Sequence, residues 1–145
     1  MELSARLTAV LEEIFPIQHE DDGALTVQHD ATFASLRVVT IAEDLDLVSL
    51  TQILAWDLPL DSKIRASVAK HARDTLLGTV SLVEKVGTAK TGTGQSRSRK
   101  TGDVLLRYNF PAAGLTDHAL RTLILMVLAT GADVRRELVA GPPTS

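Results

Sequence analysis

Asp103-Val104-Leu105-Leu106-Arg107-Tyr108-Asn109-Phe110-Pro111 is followed after three residues by Leu115-Thr116-Asp117-His118-Ala119-Leu120, where the chain passes from strand to its longest helix. Val104, Leu106, Tyr108 and Phe110 recur at every second position, the period of a strand with one buried face, and Pro111 ends it. Thr116 is the expected N-cap of the helix that follows. Leu120, Leu123, Ile124, Val127, Leu128, Val134 and Leu138 then recur at intervals of three and four, which predicts a helix to about Val139 with one face on a sheet.

Upstream, Thr79 to Val86 reads as the partner of that strand, with Val80 and Leu82 alternating. Gly78 sits where a helix stop belongs. The helix before it should start at a cap, Asp61 or Ser62, and run to about Leu77, with Ile64, Val68, Ala72 and Leu76 buried. Three strands precede it: one around Leu25 and Val27, one over Ala34–Ile41, and one over Leu47–Trp56 with Val48, Leu50, Leu54 and Trp56 on one face. Their short links predict an antiparallel meander. At the start, Leu3, Leu7, Val10, Leu11 and Ile14 mark a short amphipathic helix that Pro16 closes, so that residues 1–16 form an N-terminal helical segment. The order is α-β-β-β-α-β-β-α, an α+β single domain spanning residues 1–145 with an antiparallel sheet packed by helices.

Composition agrees. A chain of 145 residues can bury a core of its own. With aromatic residues at only 3%, that core must be aliphatic. The net charge of −3 argues against nucleic acid or an acidic membrane as the main partner. The absence of cysteine excludes disulfides and thiol catalysis and fits a reducing, cytoplasmic setting. Met1-Glu2-Leu3-Ser4 lacks the basic and apolar runs of a secretory signal, and Leu123–Ala129 is too short to span a bilayer.

No residue pattern points to catalysis, a cofactor or a metal. His19, His29, His71 and His118 share no ligand spacing. Asp44 and Asp46 lack an EF-hand frame and read as a turn. The segment Gly87–Gly102 holds Gly, Lys and Thr, but Gly92 is followed by Thr93, so it is not a phosphate loop. Its composition predicts a mobile hairpin loop over 87–102, with a basic cluster of Arg97, Arg99 and Lys100. Residues 140–145, with Gly141-Pro142-Pro143, read as a frayed tail.

The final helix carries more apolar surface than one sheet face needs. Leu125 and Met126 lie about 100° apart, with Ala129 between them, away from the main stripe. Either the first helix or the long loop covers them, or they form a dimer or partner face, for which a methionine is well suited.

The element order, with Leu36-Arg37-Val38-Val39, Asp57-Leu58-Pro59, the strand Asp103–Pro111 and the joint Leu115–Leu120, resembles the type III secretion chaperone-like superfamily, and within it the YbjN-type domains. The resemblance covers about residues 25–138; the sixteen-residue hairpin segment departs from it. It implies helices packed on an antiparallel sheet and, from the secretion chaperones, a homodimer that holds a protein client in extended form. The expected function is therefore a non-enzymatic, chaperone-like or adaptor domain. The alternative is a small-molecule carrier or regulatory sensor, with a cavity between sheet and helix lined by Trp56, Tyr108 and Phe110.

Overall fold

The computed structural model describes residues 2–90 and 96–140. Its elements are α1 (Leu3–Glu12), β1 (Gln18–His19), β2 (Leu25–His29), β3 (Thr32–Ala42), β4 (Leu45–Pro59), α2 (Ser62–Asp74), β5 (Thr79–Lys90), β6 (Ser96–Pro111) and α3 (Asp117–Ala140). This is the expected α+β single domain with one addition: β1 pairs with β2 ahead of the three-strand meander. The six strands form one antiparallel sheet in the order β1-β2-β3-β4-β6-β5.

Alternation along each strand sets one face of that sheet. Leu25 and Val27, Ala34 and Leu36, Val48 and Leu50, Val80, and Val104 and Leu106 are all buried and form one cluster with the helices. The helix α3 crosses β4, β3 and β2, α1 lies against α3 and β3, and α2 covers β5 and meets α3. From α3 the cluster takes Leu120, Ile124, Val127, Leu128, Val134 and Leu138; from α1 it takes Leu3, Leu7, Val10 and Leu11. Burying an aliphatic side chain of this size is worth about 1.5–3 kcal/mol, so the single face of the sheet holds the fold.

Polar contacts fix how the helices sit. Thr116 Oγ1 accepts the Ala119 N–H at 3.0 Å and caps α3, and Asp61 Oδ1 accepts the Ile64 N–H at 2.8 Å and caps α2. The Arg6 guanidinium donates to Asp117 Oδ1 at 2.9 Å, to the Ala113 carbonyl at 3.1 Å and to the Leu115 carbonyl. One side chain of α1 thereby ties down the turn that launches α3. His71 Nε2 lies 2.8 Å from Glu137 Oε2 and links α2 to α3.

Two expectations about α2 and the hairpin are corrected. The helix α2 ends at Asp74, so Leu76 lies beyond it at 92% exposure and Ala72 is exposed; of the expected stripe only Val68 is buried, with Ile64 half-buried. Gly78 does not stop the helix: its φ of 86° turns the chain into β5, where a Cβ would lie 2.8 Å from Leu106 Cδ2 and 3.0 Å from the Arg107 carbonyl oxygen. The segment 87–102 is not a sixteen-residue loop. The ladder continues through Gly87↔Arg99, Thr88↔Ser98, Ala89↔Arg97 and Lys90↔Ser96. Backbone pairing needs no particular side chains once Val80–Val86 and Lys100–Leu106 have set the register. The mobile loop expected there is left with residues 91–95, which lie outside the described residues, as do residues 141–145 of the expected tail.

Candidate docking surface

With the three helices of the described residues on one side, no described element covers the other face of the sheet. Alternation sends the residues between the buried ones to it. Phe33 of β3 is the register partner of Ile53 of β4, and Ile53 is the partner of Leu105 of β6. The three form an apolar row across adjacent strands, with Phe33 exposed at 42% and Ile53 at 38%.

A bulge in β4 enlarges this surface. The register runs Ile53↔Leu105 and then Ala55↔Val104, which leaves Leu54 unpaired on its own strand. The freed Leu54 carbonyl accepts the Arg135 guanidinium of α3 at 2.7 Å, so that its acceptor is satisfied. One inserted residue inverts the alternation beyond it. Leu54 and Ala55 are both buried and Trp56 turns to the open face at 51% exposure. Trp56 therefore does not share a face with Val48 and Leu50, as the plain alternation predicts. Nor does it line a cavity with Tyr108 and Phe110: those rings stack at 5.1 Å on the helix-covered face. The three aromatic residues expected around one cavity lie on opposite sides of the sheet.

Next to Trp56 the chain makes a second register shift, between Ala55 and Leu58, and Asp57 takes φ 55°. Asp57 donates its N–H to Asp103 Oδ1 at 3.0 Å. Lys85 Nζ bridges Asp57 Oδ1 at 2.6 Å and Asp103 Oδ1 at 2.9 Å. The Asp57 N–H first, and then the Lys85 ammonium, hold the Asp103 carboxyl below the usual carboxylate range. The bonds to Asp57 and then Asp103 raise Lys85 above the usual lysine value. Two carboxylates and one ammonium leave this corner with one net negative charge. Val83, exposed at 47%, is the register partner of Asp103 and continues the apolar surface toward β5. On the far side of the row stand Ser35, Thr51, Arg107 and Thr79, register partners in turn across β3, β4, β6 and β5.

The α3 face expected to meet a partner is smaller. Met126 is exposed at 53% and Ala129 is exposed, while Leu125 is half-buried, and Thr122 and Asp133 beside them are polar. Of the three residues expected to meet a partner, Met126 is the one large apolar side chain left mostly in solvent. The open sheet face escaped the sequence reading although its signal was present: Phe33, Val39 and Ile41 fall on the second face of β3, and Ile53 and Leu105 on those of β4 and β6.

Thr32 and Gln52 are the buried polar side chains of the helix-covered side. Gln52 Nε2 donates to Thr32 Oγ1 at 2.8 Å and to the Leu128 carbonyl of α3 at 3.1 Å, and Thr32 Oγ1 donates to the His29 carbonyl at 2.7 Å. Among the described residues no cluster of three or more His, Asp or Glu could hold a metal ion, and no helix is long and apolar enough to cross a membrane. No protein-family model, curated protein or solved structure matches this chain.

Proposed function

We propose that this chain is a non-enzymatic, chaperone-like or adaptor domain that holds a segment of a partner protein against the open face of its sheet. The observation that carries the reading is the apolar row Phe33–Ile53–Leu105, extended by Trp56 and Val83 and uncovered by any described helix. Successive rows on this face lie about 6.8 Å apart, twice the rise of a strand, which is also the spacing of alternate side chains in an extended segment. A client lying along the strands would set alternate apolar side chains over the Trp56 and Ile53 rows, the side-chain half of strand-type peptide recognition. The element order behind the resemblance to type III secretion chaperones supports the same reading, since those proteins hold their clients extended. The setting it proposes is the cytoplasm.

The test is a photo-crosslinking residue placed at Ile53 and, as a control, at Thr122 on α3. The Ile53 probe should capture one polypeptide segment from the native lysate, mapped by mass spectrometry, while the Thr122 probe captures none. Capture at Thr122 alone, or turnover of a small molecule that a single substitution abolishes, would replace this reading.

A further inference from the structure

We infer that the open face is also self-complementary, and that its partner in the free protein is a second copy of this chain, docked sheet to sheet. The inference rests on reading that face as a docking surface. It follows from the order of charges along β6. Arg107, Leu105 and Asp103 stand two residues apart on the same face, so a positive group and a negative group flank the apolar row at equal distances of about 6.8 Å. Arg107 is exposed and has no ion-pair partner among the described residues. Asp103 belongs to the corner of Asp57 and Lys85 that keeps one net negative charge.

A two-fold axis that lies along the row and crosses β6 at Leu105 superposes the row on its own symmetry mate. It also brings Arg107 of each copy over Asp103 of the other. Both charges are matched twice by one operation, as an isologous contact requires. Facing sheets pack about 10 Å apart, a gap that an extended arginine and an aspartate span together. The size also suffices. The strands β3, β4, β6 and β5, of 11, 15, 16 and 12 residues, with the five-residue β2 beside them, lie about 4.8 Å apart, so a stretch about eight residues long across them is a face of roughly 24 by 27 Å. Studded with side chains, such a face approaches the 800 Å² or so per partner of a standard stable interface.

Sedimentation velocity on the full chain and a charge exchange test this. Wild type should dimerise at micromolar concentration. Arg107→Asp and Asp103→Arg should each weaken the dimer at least about tenfold, because each homodimer then faces like charges. Mixed in equal amounts, the two variants should pair with each other about as tightly as wild type. Circular dichroism checks that each is folded. If Asp103→Arg is not, because Asp103 also anchors Asp57 and Lys85, Ile53→Asp takes its place and should give a folded monomer. A wild type that stays monomeric at about 100 µM, above the micromolar range of weak interfaces of this size, overturns the inference. So does a dimer that survives Arg107→Asp and Ile53→Asp but dissociates on Met126→Asp, which would put the interface on α3. A monomer whose Ile53 probe still captures a partner segment overturns self-association alone; one that captures nothing removes the docking reading with it.

Discussion

Gln52 and Gly131 occupy one space: the carboxamide of Gln52 lies where any side chain at position 131 of α3 would have to be. A Cβ there would overlap Oε1 and the amide carbon and stand 2.7 Å from Nε2. The oxygen itself has no hydrogen-bond partner among the described residues, although the nitrogen is bound to Thr32 and to the Leu128 carbonyl. The amide therefore locates α3 along β4 by a donor on one side and by the missing side chain on the other.

A glycine within a helix costs about 1 kcal/mol relative to alanine, so Gly131→Ala would ordinarily stabilise. Here it should destabilise by about 1–3 kcal/mol, the usual cost of overpacking a core. Gln52→Ala makes room, and the double variant should lose less than the sum of the two single losses. Urea unfolding of the four proteins measures the coupling; additive losses would show that the two residues do not meet.

Trp56 is the only tryptophan, which makes the bulge directly observable. Exposed at 51% on the open face, it should emit like a solvated indole and be quenched readily by acrylamide. Dimerisation or client docking should shift its emission to the blue. Blue, unquenched emission from a dilute monomer would place the ring inside the core and contradict the inverted alternation after Leu54.

The charge corner predicts opposite behaviour at the two ends of the pH scale. Asp103 is depressed in the folded state, by the Asp57 N–H first and Lys85 second. Its contribution is present above the unfolded value of about 3.9 and is lost as pH falls through the lower folded value. Lys85 is raised, by Asp57 first, so its contribution is present below about 10.4 and is lost as pH rises through the higher folded value. Asp103→Asn should therefore be less stable than wild type at pH 7, and the two should converge in strong acid. Denaturant midpoints at several pH values decide it; a constant difference would show that the carboxylate's charge is not what matters.

Two substitutions separate surface from core on α3. Met126→Asp should change stability by no more than about 0.5 kcal/mol, as expected of an exposed site. Ile124, two residues earlier, is fully buried against the sheet, and Ile124→Ala should cost about 2–5 kcal/mol. Thermal unfolding of both variants checks the contrast; equal losses would mean that Met126 also packs into the core.

Capping chemistry and the helical period of α1 and α3 were readable because they are local, whereas most of the stripe expected on α2 is not buried. Thr116 and Asp61 cap the helices they were expected to cap, and the α3 stripe from Leu120 to Leu138 is buried except for Leu123, which is half-buried. Strand alternation along β4 held through Leu54, which is buried with Val48 and Leu50, and failed beyond it at Trp56, because an inserted residue in a bulge is as apolar as its neighbours and leaves no mark in the pattern. The hairpin was misread for a related reason. Gly, Ser and Thr read as loop by composition, yet a ladder already in register extends through them. Gln52 sits on the buried parity of β4, so its placement was legible, but its partners Thr32 and Leu128 are brought to it by long-range packing. The docking face needed knowledge of where three helices lie, and only the assembled sheet supplies that.

The strand order also leaves the two margins of the sheet unequal. On one side β1 is only two residues long, and so brief an edge offers an incoming strand little to bond. On the other, β5 runs for twelve residues, with no strand on its outer side among the described residues. Unsatisfied backbone groups along a flat edge are the usual starting point of aggregation. Solubility should then be governed from one side of the molecule, where the charges of Glu84 and Lys85 act as gatekeepers between Val83 and Val86.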